Sequence, residues 1–522
     1  MKKVNRVLSI LLALVMLACS LTACGETKPN QPENNNPAEA KYKEDITIIM
    51  DGSMPSLNRF QTGVETNACQ RLNWCLFDRL LYEDDNGDFL PSLATEWSTD
   101  DGLVYTFKLR DDVVFHNGEK FKADDVVYTL ERARDASGTT MNTYIGKYID
   151  HVEAVSDTEV KVYLNTVYSG FLKTMSIPYA SISNRKACEA DPEQGMAVGT
   201  GPWKLVNYVA NETVKMERNE DYWGEKPKTK TLTWKFVQEQ LSRMMMLETG
   251  EVQAALGLSS TADWPAIEAD DRYTFIPITT AGVYYLCCNM TNPITGDINF
   301  RKAVASLMDR ETYVKVGFNG YATPYTDLAY WSLSVPGKNT NISMIPYNVD
   351  KAKEYLAASN YNGEEVTISV STTTAGNVTV AQLLQEALIG IGVNAKVNQT
   401  DATGLASLTM YSENKSMLVI NSQPWPLGAM NLTSVFMPGV ADNRASYSND
   451  KVTELLQKVI VEIDAAKRDE MFKEIQAIEA EEIAYLPMYC KVDAFGALKG
   501  VEGIRMQPSG FHDVSYIYMV EE

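Results

Sequence analysis

The chain has 522 residues, 45% of them hydrophobic and 22% charged, with a formal charge of −21 at neutral pH. That length exceeds what one hydrophobic core organises, so two or three lobes are expected. The acidic balance argues against a nucleic-acid partner, because phosphate contacts need clustered Lys and Arg, and it suits a soluble, repulsive surface.

The N-terminus carries an address. Lys2, Lys3 and Arg6 precede an apolar run from Val7 to Ala18, and "LTAC" then places small residues before Cys24. This is the pattern of an export signal, too short to persist as a membrane-spanning helix, so residues 1–23 are expected to be removed. "L-T-A-C" resembles the bacterial lipobox, whose cysteine becomes residue one and carries a diacylglycerol on its thiol; Cys24 is therefore the expected lipidation site. Two acyl chains, at about 0.8 kcal/mol per buried CH₂, anchor a protein stably. Cys19, behind "MLA", is a poorer choice because Met16 is less usual at the first lipobox position. Residues 24–44 are rich in Asn, Pro and Glu without apolar periodicity and read as a disordered tether. No other run approaches 18 apolar residues, so the folded body is expected wholly outside the cytoplasm.

Strands are expected where residues alternate or are β-branched: Asp45–Met50, Val104–Arg110, Thr158–Leu164, Thr213–Asn219, Thr231–Val237 and Glu365–Ser371. In "VYTFKLR" the set Val104, Thr106, Lys108 opposes Tyr105, Phe107, Leu109, the pattern of a half-buried strand, and Asn117–Gly118 suits a tight turn. Helical periods appear in Ala123–Ala133, Phe300–Val316 and Val380–Val397, the last with Gly390 as its C-terminal cap before a strand. One long helix is expected over Asp450–Glu482, broken near Asp464. Strands and helices alternate after about Ala281, so that half is expected to be α/β.

Six cysteines follow the tether: Cys69, Cys75, Cys188, Cys287, Cys288 and Cys490, without zinc-site spacing, and buried reduced thiols are expected of them. Three histidines, His116, His151 and His512, are too few for a histidine-built metal centre, so no metal or cofactor is expected. G-x-S-x-G, Walker A, H-E-x-x-H and dinucleotide fingerprints are missing, which weakens an enzyme reading. Carboxylate pairs such as Asp124–Asp125 read as helix caps or solvated faces. Asp309–Arg310 reads as an ion pair inside a helix, and "GTGPW" (199–203) as glycines at positive φ and a proline bend that place Trp203 in a core.

A resemblance spans most of residues 45–520. "PSLATEWSTDDGLVYTFKLRDDVVFHNGEKFKADDVVYTLERA" (91–133) is similar to the signature region of the family-5 extracellular solute-binding proteins, the peptide and nickel binding components of ABC importers. "GTGPWKL", "ERNEDYWGEKP", "LETGEVQAA", "NFRKAVASLMDRE" and "NVDKAKEYL" follow in the family's order. The resemblance implies an α/β, three-lobed periplasmic-binding-protein type II fold, with ligand enclosed between two hinged lobes. Residues 45–79, 191–280 and 486–522 are expected to form lobe I, 80–190 an accessory lobe and 281–485 lobe II, with hinge crossings near "VYYLCCNM" and "AYLPMYC". It further implies a binding protein rather than an enzyme: a lipid-anchored monomer that closes on a solute and delivers it to an ABC permease with its ATPase subunits. A ligand-sensing lipoprotein uncoupled from import would share the fold, and a secreted hydrolase is the remaining alternative.

For the ligand, the informative stretch is Asn414–Ala441, which holds a single charge, Lys415, in 28 positions. It reads either as a core strand with its loop or as the wall of a site for something uncharged and flat. In peptide-binding relatives the corresponding strand is followed by a tryptophan and an aspartate whose carboxylate pairs with the ligand's α-ammonium. Here Trp425, between Pro424 and Pro426, is present, but no acid lies between Glu413 and Asp442. A buried ammonium without a countercharge costs several kcal/mol. A neutral or N-blocked ligand is therefore expected, a modified peptide or an oligosaccharide, stacked on Trp425 and hydrogen-bonded by Ser422 and Gln423. Asp51, Ser53, Tyr330 and Trp331 are further candidates for the cleft.

Overall fold

"DITIIM", Asp45–Met50, forms the strand its alternation predicts (β1) and sits near the middle of a large mixed sheet. The computed structural model describes residues 41–522 except 62–66, 85–86, 259, 326–329, 333–334, 336, 425–426, 506–511 and 522. Cys24, the signal and tether up to residue 40, and Trp425 lie outside the described residues. Tyr42–Glu522 is one compact unit.

The strands in chain order are β2 (Leu81–Glu83), β3 (Phe89–Pro91), β4 (Ala94–Ser98), β5 (Val104–Leu109), β6 (Ile149–Ser156), β7 (Glu159–Leu164), β8 (Trp203–Val209), β9 (Thr213–Arg218), β10 (Thr231–Phe236) and β11 (Ala254–Ala255). Then come β12 (Tyr273–Cys288), β13 (Thr323–Pro324), β14 (Val366–Ser371), β15 (Ala395–Thr400), β16 (Leu418–Gln423) and β17 (Tyr485–Leu498). The large sheet runs β15-β14-β16-β12-β17-β11-β1-β10-β9-β8, with β13 beside β17; a four-stranded antiparallel sheet runs β4-β5-β7-β6. In that smaller sheet Tyr105, Phe107 and Leu109 point inward and Lys108 outward, because a period of two gives each face one chemistry. The turn at Asn117–Gly118 forms as the sequence predicts, with Gly118 at φ 81° and its N–H donating to Phe115 O at 2.8 Å.

Capping decides several helix ends. Lys122 N donates to the Asp125 carboxylate (3.0 Å) at the start of Ala123–Asp135, the cap expected of this acid pair. Asp464 accepts from Ala466 N and Lys467 N at the break between Asp450–Val461 and Ala465–Glu482. All six cysteines after the tether are buried thiols.

Three local expectations are corrected. Phe300–Val316 is two helices, Ile298–Ser306 and Arg310–Gly317. Asp309 is the N-cap of the second, accepting from Thr312 N (3.1 Å), while buried Arg310 donates to Pro487 O (2.8 Å), so the pair works as a cap and a strand anchor. Ala375–Gly390 ends two residues before the left-handed position, which is Gly392 (φ 96°) rather than Gly390. Neither Gly199 nor Gly201 has positive φ. Each is needed because a Cβ would lie 1.8 Å from Leu76 O or 2.6 Å from Cys75 O, the end of the helix Asn67–Leu76. That close approach seats Trp203, fully buried, with its indole N–H on Ser515 O (2.7 Å).

Candidate solute-binding crevice

Two sets of parallel strands run head-on at one place. β11, β1 and β10 are mutually parallel, as are β16, β14 and β15. Between the sets lie β12 and β17, antiparallel to each other and to their flanking neighbours β16 and β11. Gln423 at the end of β16 pairs with Val283, which faces Cys490; from the other side Leu258 N, just past β11, donates to Ala494 O (3.2 Å). The carboxyl ends therefore approach Cys490–Ala494 on β17, five residues spanning about 13 Å at strand rise. Crevices at the carboxyl ends of parallel strands are where open α/β sheets bind ligands. The β12–β17 register shifts between Thr279 and Val283, so the ladder is irregular at that level.

The structure distributes the expected site residues unevenly. Ser422 and Gln423 lie at the β16 end; Ser422 is half-buried, and Gln423 is buried with its amide toward Ser434 Oγ (3.5 Å). Asp51 and Ser53, both half-buried, follow β1 on the opposite rim. A Cβ on Gly257 would sit 2.0 Å from Asp51 Oδ1, so this loop packs against a glycine at φ 67°, and a side chain there would displace the Asp51 carboxylate. Tyr330 and Trp331 are 1% and 0% exposed. Tyr330 packs edge-on to Tyr285 and Phe436, and Trp331 lies against Phe472 with its N–H on Val335 O, so both side chains pack in the core.

Other residues were invisible to the sequence reading. Asp493 on β17, half-buried, accepts from buried Arg71 Nη2 (3.2 Å) and His512 Nε2 (3.0 Å), so three groups meet at the crossing from segments 422 and 19 residues away. Arg243, 1% exposed, donates to Val237 O, Gln238 O and Gly257 O and so ties together the chain leaving β10 and β11. Burial pulls its pKa down while Asp51 and Asp493 push it back. Tyr144 and Tyr179 stack (5.1 Å, 27°), and burial raises the Tyr144 phenol, with Asp442 adding to the rise. No local motif marks these groups, since each becomes a partner only through tertiary contact.

Chemically the crevice rims offer hydroxyls and an amide beside acids already offset by internal cations. Among the described residues no group of three or more His, Cys, Asp or Glu is placed to hold a metal, and no helix is long and apolar enough to cross a membrane.

A mixed sheet whose two parallel halves meet over a pair of crossing strands is the architecture of a type II periplasmic binding protein. Residues 88–443 match the bacterial extracellular solute-binding proteins, family 5, middle region, and the chain belongs to that family. It is 28% identical over 428 residues to the glutathione-binding protein GsiB of Escherichia coli K12, covering 79% of this chain and 83% of that one. Its fold is similar to that of the ABC transporter substrate-binding protein CtaP of Listeria monocytogenes, with TM-score 0.82, 22% identity, and 92% and 100% of the two chains covered. It is equally similar to NikA of Brucella suis solved with Fe(III)-EDTA, with TM-score 0.82, 21% identity, and 91% and 100% covered. The protein is thus a solute-binding protein, as the sequence motifs implied.

Proposed function

We propose that this chain is the capture component of an ABC importer: a lipoprotein held outside the cell membrane by Cys24 that closes as a monomer on a neutral or N-blocked oligopeptide-class solute and presents it to a permease with its ATPase subunits. The observation that carries the reading is the head-on meeting of strand ends over Cys490–Ala494 on β17. Lobe I comprises 45–79, 191–280 and 486–522, lobe II 281–485, and 80–190 the accessory lobe. The hinge is the register shift at Thr279–Val283, and a ligand touching both lobes favours the closed state by its differential affinity. Ser422, Gln423, Asp51 and Ser53 line the crevice with Trp425, whose role rests on its sequence neighbourhood. The neutral-ligand reading gains support because Asp442, the acid bounding the neutral stretch, already faces Arg444 (3.6 Å), and Asp51 offsets Arg243.

Calorimetry with matched free and N-acetylated peptides, and with oligosaccharides, tests the reading on native and Trp425→Ala protein. The acetylated peptide should bind the native chain, and Trp425→Ala should weaken it about tenfold or more, the loss of one stacked aromatic face with its buried area. Tight binding of a free-amine peptide that disappears on acetylation and ignores Trp425→Ala would sink it. Oligosaccharide binding lost in the variant would keep the crevice and change the ligand class. The test of the anchor is Cys24→Ala, which should release the protein from the membrane or leave its signal uncleaved.

A further inference from the structure

A cavity of about 250 Å³, away from the strand-end crevice, opens where the end of the helix Asn67–Leu76 meets β2, β3 and the chain around Trp223 and Tyr516. Its distinguishing feature is an imbalance of donors over acceptors. Arg79 is 4% exposed and lies flat over the Trp74 indole, 3.7 Å from the ring centroid. Among the described residues, buried Arg79 Nε, Arg79 Nη1 and Trp74 Nε1 have no hydrogen-bond partner. The nearby acids are already engaged. Asp78 accepts from Thr200 Oγ1 (2.9 Å), Tyr222 OH (3.1 Å) and Trp223 Nε1 (2.9 Å), and Asp513 Oδ1 accepts from Ser515 N (2.8 Å). Burial raises the Asp78 pKa and lowers that of Arg79, while the charges of Asp78 and Asp513 pull Arg79 back up. Arg505, exposed at the rim, adds a second guanidinium over Tyr516 (5.0 Å).

Buried donors left unmade are expensive, and a guanidinium stacked on an indole keeps its edge for a planar acceptor. A carboxylate supplies two acceptor oxygens in the plane that an Arg fork matches. Trp74, Tyr222, Trp223 and Tyr516 supply flat apolar walls. The volume is smaller than a drug-sized site and fits a single ring. We propose that this cavity is a second ligand site, reading a small carboxylate with a flat apolar body, an aromatic acid, independently of the solute in the crevice.

The probe is benzoate, with benzamide as the uncharged molecule of the same shape, titrated into the mature full-length protein by calorimetry and by fluorescence of the wall tryptophans. Benzoate is expected to bind saturably and about tenfold or more tighter than benzamide, the size of a charge-assisted pair. Arg79→Gln should remove that preference, and Arg505→Gln, on the exposed rim, should weaken benzoate about threefold without altering the melting temperature. Equal affinity for benzoate and benzamide, undiminished benzoate binding in both variants, or no saturable benzoate binding would each overturn the proposal. If Arg79→Gln does not fold, the benzamide contrast and Arg505→Gln decide it.

Discussion

The small sheet β4-β5-β7-β6 and the β12–β17 pair are both antiparallel, yet they hold together by different means. In the small sheet, neighbours in space are close in sequence, β6 and β7 form a hairpin, and inward Val160, Val162 and Leu164 alternate with partly exposed residues. The β12–β17 pair joins 16 residues to 14 across some two hundred positions of chain, and the last nine of β12 are buried without interruption. Alternation announces the first kind of strand. A continuous apolar run announces only burial, because a strand covered on both faces carries no period. The contrast teaches that the smaller sheet is assembled from nearer segments of chain, whereas the crossing joins distant ones and positions the crevice.

Four substitutions can break or sharpen that contrast. The largest effect is expected of Tyr485→Ala at the crossing. Its ring is buried among Tyr285 (5.2 Å), Tyr330 (5.1 Å) and Phe436 (5.2 Å), and the change should cost about 4 kcal/mol. Denaturant unfolding should shift as one transition, and an unmoved midpoint would break the comparison.

Next comes Glu479→Gln, six residues before Tyr485, whose N–H it accepts (2.9 Å), with the Tyr330 backbone as a second donor. Burial, with Glu482 adding, pushes the Glu479 carboxyl up to about 8 from an ordinary 4.5. The unfolded chain therefore ionises first as pH rises through 4.5, and folded stability drains away until the native carboxyl titrates near 8. The amide escapes that loss. At pH 8 the variant should be more stable by about 4 kcal/mol, and at pH 4 the difference should vanish, as read from thermal unfolding at both values.

A smaller effect, about 2 kcal/mol, is expected of Val162→Ala in the accessory sheet, where Val162 is fully buried. Hydrogen exchange should accelerate in β4–β7 and leave β12 and β17 protected; equal acceleration everywhere would show that the small sheet is not a local unit. The smallest is His116→Gln. His116 Nδ1 accepts from Gly199 N (3.3 Å), its other ring nitrogen meets Gly201 O (3.1 Å), and burial lowers its pKa to about 4 from 6.5. The unfolded histidine takes up its proton first, so stability is intact above pH 6.5 and is lost as pH falls toward 4. Replacement by Gln should flatten the unfolding midpoint across that window.

Much of the local structure was legible in the sequence. β1 is placed to the residue, and β5, β7, β9, β10 and β14 to within one residue, because period two and β-branched content act over half a dozen neighbours. The helix break at Asp464 is equally local, since a side-chain cap needs only the two or three residues that follow it. Family motifs carried the class of protein. Tertiary structure alone decided why Gly199 and Gly201 must be glycine, that Asp309 caps rather than pairs, that Tyr330 and Trp331 pack in the core, and that Arg71, Asp493 and His512 share one bond network. The physical reason is range. Propensity, periodicity and capping are written over a few adjacent residues, whereas close approach, burial of charge and the meeting of strand ends depend on segments that touch only after hundreds of residues of chain have folded between them.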